Sequence, residues 1–138
     1  MKKLLFISCL LMITLTGFGQ NTKLTVYVKF INVEEGYDHE TKTTVFIDDK
    51  EIGTSPVTAE TKTGTFTVDV PTGNHSLKIV NYAMYEGKWE EHTTANDYSF
   101  DLVYAEDHNF KKPEKFYMLV DLDQEMKVSW KKPVKVKK

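Results

Sequence analysis

The chain has 138 residues, 41% hydrophobic and 28% charged, with one cysteine and a formal net charge of −2, which suits a single domain able to bury a core without disulfide or metal staples. Such a composition excludes collagen-like, disulfide-dense and strongly disordered chains. All 18 basic residues are lysine, and the absence of arginine argues against nucleic-acid recognition, where bidentate guanine and phosphate contacts belong to arginine.

Residues 1–19 read as an export signal. Lys2 and Lys3 form a positive n-region, Leu4 to Thr16 an apolar run, and Gly17 and Gly19 the small residues of a cleavage site before Gln20. The run is too short and wrongly flanked for a membrane span, and no other apolar run approaches the roughly 18 residues a spanning helix needs. A lipoprotein acylated at Cys9 is the weaker reading, because Phe6-Ile7-Ser8-Cys9 fits a lipobox poorly. Cleavage removes the only cysteine, so the exported chain is expected to rely on its core, in the periplasm or at the cell surface of a bacterium. Residues 20–130 carry 11 lysines against 20 acids, whereas 131–138 hold 5 lysines: an acidic body with a basic tail.

The body reads as strands. Beyond residue 19 there are 13 valines and 14 threonines against 5 leucines and 4 alanines, a balance that favours pleated surfaces over helix. Period-two alternation places Leu24, Val26, Val28 and Phe30 on one face, then Val45 and Ile47, then Phe66, Val68 and Val70, then Leu77 and Ile79. Further on, Tyr98, Phe100, Leu102 and Tyr104 alternate, as do Phe116, Met118, Val120 and Leu122, and after a turn near Asp123-Gln124 so do Met126, Val128 and Trp130. Turn residues separate the runs at Gly53-Thr54-Ser55-Pro56, Pro71-Thr72-Gly73-Asn74 and Glu86-Gly87. About seven short strands predict an all-β, antiparallel two-sheet sandwich over residues 20–130. The lysine-rich tail, 131–138, is read as frayed or as an edge strand with Val134 and Val136 inward, its lysines discouraging edge pairing.

Residues 45–82 resemble the PEGA domain, a small β module of bacterial envelope and surface proteins. Val45-Phe46-Ile47-Asp48-Asp49-Lys50-Glu51-Ile52-Gly53-Thr54-Ser55-Pro56-Val57 is similar to its strand, acidic turn and Gly-Thr-Ser/Thr-Pro signature. Val70-Pro71-Thr72-Gly73-Asn74-His75-Ser76-Leu77-Lys78-Ile79 is similar to its Pro-x-Gly-x-His-x-Leu hairpin. In physical terms Asp48-Asp49 can make a tight turn, Gly53 can supply a positive φ where the strand ends, Pro56 and Pro71 fix φ, and Gly73 serves the second turn. The sequence departs from the family at Asp49 and Asn81, where glycine is usual, and in an extra loop over Ala59–Gly64. The Pro-Glu-Gly-Ala motif itself is missing. The resemblance covers about a third of the chain and implies an accessory, non-catalytic module with no catalytic residues to carry over.

Chemistry-bearing motifs are sparse. His39, His75, His92 and His108 are too far apart in sequence for typical zinc-ligand spacing, and Asp48, Asp49, Asp121 and Asp123 lack calcium-loop order. Neither a nucleophile elbow nor a phosphate-binding glycine loop is present. Adjacent Glu90 and Glu91 would point to opposite faces of a strand and cannot form a hydrolytic pair. No cofactor, metal or catalytic residue is therefore expected. The segment 82–92 instead offers Tyr82, Tyr85, Trp89 and His92 as candidate ligand contacts, since aromatics bring large contact area at low entropy cost. The expected function is a non-catalytic exported module that contacts an envelope protein or polysaccharide. Strand addition to another envelope protein is the first alternative, and a small secreted hydrolase without a recognisable motif is the second. The lysine tail is expected at most to touch anionic surfaces.

Overall fold

Runs in which apolar residues recur at every second position fold as strands, because that period turns one whole face inward. A computed structural model describes residues 19–136. The expected export signal, apart from Gly19, lies outside the described residues, as do Lys137 and Lys138 of the tail. Among the described residues there are ten strands: β1 (Asn21–Ile31), β2 (Glu40–Ile47), β3 (Lys50–Thr54), β4 (Thr58–Ala59), β5 (Gly64–Pro71), β6 (Gly73–Tyr85), β7 (Lys88–Glu91), β8 (Val103–Phe110), β9 (Glu114–Asp121) and β10 (Met126–Ser129).

Two sheets pack face to face. One runs β10-β9-β1-β5; in the other, β2 and β6 lie at the centre, β3 and β4 share the outer edge of β2, and β7 and β8 share the far edge of β6. The sandwich matches the class expected, with one correction to its connectivity: β1 and β9 pair in parallel, Val26 beside Phe116 and Val28 beside Met118. The chain leaves the first sheet after β1 and returns for good only through the short link 111–113, so β9 arrives beside β1 running the same way.

The inner faces are those the alternation marks. Leu24, Val26, Val28 and Phe30 of β1 meet Val45 and Ile47 of β2 and Leu77 and Ile79 of β6, with Phe116, Met118 and Val120 of β9 beside them. One alternating run folds differently. Phe100 and Leu102 turn inward as expected, whereas Tyr98 packs on His92 outside the core, and the strand starts only at Val103. Ahead of it lies a 3₁₀ turn, Thr94–Asn96, closed by Asp97 in left-handed backbone (φ 67°). The Asp101 carboxylate accepts from both the N–H and the hydroxyl of Thr94, at 2.7 and 2.9 Å. These bonds hold its pKa below the ordinary carboxylate value and tie residues 94–101 into a closed loop. The edge-strand alternative for the tail is not realised either: residues 131–136 form no strand, and Val136 is exposed.

The turn residues work largely as expected. Asp48 and Asp49 both adopt positive φ, 50° and 64°, the backbone that a two-residue hairpin turn of matching twist requires. Ser55 donates its N–H to Thr43 O at 2.8 Å and accepts the Thr43 N–H on its hydroxyl at 2.9 Å. Pro56, which has no N–H, ends that pairing. Pro71 closes β5, an edge strand, where a missing donor is tolerated. Gly73 (φ 103°) makes the sharp step from one sheet to the other. Gly53 is a correction, since it does not adopt positive φ. Its reason is space: any Cβ there would fall on Val68 Cγ1, and the missing side chain lets β3 close against β5 across the two sheets.

Two predictions follow from this end of the sandwich. Gly53→Ala should destabilise by about 1–3 kcal/mol through overpacking against Val68, read as a lower midpoint of urea unfolding; an unchanged midpoint would show that Val68 yields freely. The second concerns the Asp48-Asp49 turn. Asp48 accepts the Ser76 N–H at 3.0 Å and holds His75 Nδ1 at 2.7 Å, while His75 Nε2 lies 3.1 Å from Thr72 O. Asp48 is thereby lowered in pKa, chiefly by the Ser76 bond and then by His75, and His75 is raised, chiefly by Asp48. A raised histidine stabilises the fold below its unfolded pKa of about 6.5 and loses that contribution as pH rises through its folded value; a lowered aspartate loses its contribution only in acid. His75→Gln should therefore lower Tm at pH 5.5 more than at pH 9, and an equal loss at both would exclude the charged pair.

Candidate functional site

The end of the sandwich away from the Asp48-Asp49 turn is open. A cleft of about 620 Å³ lies there between the loop after β1, the loop after β4, the β6–β7 hairpin, the loop 92–102 and the β9–β10 turn. Its position follows from a break in one sheet edge. β7 covers the far half of β6 and β8 the near half, and Asn81 sits at the changeover. The Asn81 carbonyl accepts the His92 N–H at 3.0 Å, the Asn81 N–H donates to Leu102 O at 3.0 Å, and the Leu102 N–H donates to His92 O at 2.8 Å. This three-way junction pinches residues 92 and 102 together and throws the intervening loop out over the sandwich end. The Asn81 side-chain amide is buried and donates to the Thr41 and Thr43 hydroxyls at 2.7 and 3.1 Å, so the junction rests on a fixed polar floor.

On that floor stand two ionisable residues. Glu60 is 2% exposed and His92 4%, and Glu60 Oε1 lies 3.9 Å from His92 Nδ1. That separation is too long for a direct hydrogen bond, and neither atom has another partner among the described residues. Burial pushes the Glu60 carboxyl up to about 7, with the nearby charge of Asp38 adding to it. Burial pulls the His92 imidazole down to about 4, with His39 as the second cause. Around neutral pH His92 is therefore uncharged and Glu60 is near its midpoint. Neither atom is open to solvent in the resting fold, and a polar group that parted the two side chains slightly could lie about 2.8 Å from both and satisfy them together.

Aromatic rings form the walls. Tyr98 packs on His92 with centroids 4.0 Å apart, and Phe100 lies 6.4 Å from the same ring. The Tyr98 hydroxyl donates to Glu90 Oε1 at 2.8 Å, and burial, followed by that bond, raises its pKa. Tyr37 and Tyr85, 65% and 50% exposed, stand at the mouth.

The four candidate contacts of segment 82–92 divide between the two faces of their sheet. Tyr85 and His92 line the cleft. Tyr82 and Trp89 point to the outer face, where both rings flank the Lys42 ammonium, 5.8 and 4.4 Å from their centroids, a cation–π arrangement that braces the sheet from outside. The hairpin pairs Met84 with Trp89 and Tyr82 with Glu91, which sends Trp89 to the side of Tyr82 and Glu90 into the cleft with Tyr85. Sequence reasoning missed Glu60, Glu90, Tyr37, Tyr98 and His39 as cleft residues. Nothing in the Thr-rich loop around Glu60 marks it as buried, and His39 and His92, more than fifty residues apart, share no spacing signal.

The buried pair yields a prediction with a definite sign. Because Glu60 has a folded pKa above its unfolded one, the unfolded chain ionises first, and the fold loses stability as pH rises from about 4.5 to about 7. Glu60→Gln should melt at the same temperature as the parent near pH 4.5 and above it at pH 8; a lower Tm at pH 8 would mean that the carboxylate is stabilised in the fold.

No protein-family model matches this chain, and a comparison with curated proteins finds no match either.

Proposed function

We propose that this chain is an exported, non-catalytic, PEGA-like module that binds a glycan of the cell envelope in the cleft between its loops. The observation that carries the reading is the cleft itself. It combines exposed tyrosine faces at the mouth, Tyr98 and Phe100 along one wall, and carboxylates that can accept hydroxyl hydrogens. Sugar rings present flat C–H faces to aromatic rings and hydroxyls to carboxylates, so a concave site with both suits them. Its position supports the same reading, since loops held at one end of a rigid sandwich can carry a ligand without disturbing the core.

Pairing by strand addition has one observation behind it: β8 is hydrogen-bonded along one edge only, leaving eight residues of free backbone. That edge carries the exposed charges Glu106 and Asp107, a common device against edge pairing, so the cleft is the better supported site.

A glycan array probed with the full chain tests the reading. A specific hit is expected, and Tyr85→Ala should weaken it by about 2 kcal/mol, close to thirtyfold in Kd, as loss of a central aromatic contact does. Tm should hardly move, because Tyr85 is half exposed. Trp89→Ala should keep the hit and lower Tm. Loss of binding in Trp89→Ala with Tyr85→Ala unaffected would move the site to the outer face, and an array with no hit would remove the glycan reading.

A further inference from the structure

Resting on the glycan reading, we propose that the cleft selects sugars bearing a free, protonated amine, which it seats between Glu60 and His92. The first ground is charge. Glu34, Glu60, Glu90, Asp97 and Asp123 all line the cleft, and no lysine does. Low-dielectric walls concentrate that field within the concavity. An acidic cleft attracts a cation and repels the uronic acids and phosphates of anionic polysaccharides.

The second ground is the spacing of those carboxylates. Among the described residues no three His, Asp or Glu side chains converge closely enough to hold a metal ion. The negative charge is instead spread around a space of about 620 Å³, which fits an extended organic cation with its charge on one substituent. Tyr98, its ring 4.0 Å from that of His92, supplies an aromatic wall beside that position, and a ring face attracts an ammonium more than a neutral hydroxyl.

The third ground is the unpartnered buried pair. Glu60 Oε1 and His92 Nδ1, both in side chains more than nine-tenths buried, lack partners among the described residues. An ammonium has three donors and no acceptor, so it can donate to the carboxylate and to the neutral imidazole nitrogen at once. A cation there also offsets, by its attraction for the carboxylate, the burial that holds the carboxyl protonated. Glu60 is faced by Asp38 and His39 from the loop after β1, and by His92 and Tyr98 from the loop 92–102, with Glu90 of β7 behind the Tyr98 hydroxyl. Asp38 is spoken for by Thr61, whose N–H and hydroxyl it accepts at 3.1 and 2.8 Å. That leaves Glu60 as the acid at the floor whose charge state a bound amine changes, and binding below its pKa of about 7 should expel its proton.

Calorimetric titration of the full chain with three tetrasaccharides of equal length decides the matter: β-1,4-linked glucosamine, its N-acetylated counterpart and a neutral glucose tetramer. The amine tetramer should bind at least about tenfold tighter than either neutral one, a difference of about 1.4 kcal/mol, and the preference should shrink as salt is added. Repeating the titration at pH 6, where the sugar amine arrives as ammonium and Glu60 arrives protonated, in buffers of different ionisation enthalpy should show proton release with the amine tetramer alone. Glu60→Gln should abolish that release and the preference while keeping residual binding. Asp123→Asn, at the exposed rim, should reduce the preference without touching the proton release, and it serves if the Glu60 variant does not fold. Equal binding of the neutral or acetylated tetramer would overturn amine selection and leave the glycan reading standing. Failure of all three to bind, together with an empty array, would overturn both.

Discussion

The contact between the apolar faces of β1 and β6 is the constraint on which everything else depends. With a single cysteine the chain cannot close a disulfide upon itself, so the sheets are joined chiefly by burial. Leu24, Val26, Val28 and Phe30 on one side and Leu77 and Ile79 on the other are all less than a tenth exposed, and each such side chain contributes about 1.5–3 kcal/mol relative to an exposed one. β1 and β6 are also the central strands of their sheets, each hydrogen-bonded on both edges. Edge strands can therefore be short, bulged or broken without loosening the core. β2 and β3 slip register between Val45 and Phe46, and the far edge of β6 is divided between two strands; both irregularities sit outside the central contact.

That tolerance creates the cleft. A continuous edge strand beside β6 would have sealed the end of the sandwich. Asn81 interrupts it. A glycine at this position, as the PEGA resemblance would have it, could make the same backbone bonds to Leu102 and His92 but could not tie the Thr41 and Thr43 hydroxyls together. The asparagine therefore converts a break in the sheet into a rigid one, and a rigid break can hold a side chain such as His92 in a fixed place. The chain of cause runs from one buried amide, to a pinched loop, to the position of an imidazole on the floor of a cavity.

The sandwich was legible in the sequence because period-two alternation is a backbone property expressed through side chains, and it survives even where the strand itself does not form, as at Phe100 and Leu102. What escaped the reading did so for physical reasons. The inner face of β8 continues through Glu106 and His108 to Phe110, but charged residues mask the alternation. They are tolerated because His108 stacks on Trp130 at 4.1 Å and bonds to Glu114 at 2.7 Å, while Glu106 accepts the indole N–H of Trp130 at 3.0 Å. Gly53 reads as a turn residue, yet its reason is a neighbour fifteen positions away, which only the closed fold supplies. Of the site, the hairpin with Tyr85 and His92 could be seen as aromatic-rich. Glu60 could not, because burial is a property of the loops folded above it.

Two acid–histidine pairs, at opposite ends of the sandwich, show how the same residue types acquire different roles. Asp48 and His75 sit 2.7 Å apart, with side chains 57% and 21% exposed, and both shift toward their charged forms because hydrogen bonds favour the ions and water remains within reach. Nothing there is left unsatisfied, and the pair fastens a turn. Glu60 and His92 sit 3.9 Å apart with no water-facing surface to speak of, and both shift toward their neutral forms, because desolvation outweighs an attraction that the distance weakens. Leaving a buried polar atom unpartnered costs about 1–3 kcal/mol, a sizeable share of the 5–15 kcal/mol by which domains are stable. An apolar pair in the same place would stabilise the sandwich more. A fold that keeps this open pair at the floor of a cleft, with the Asn81 side-chain oxygen the other buried polar atom left unpartnered among the described residues, gives up stability at a point where a ligand could restore it.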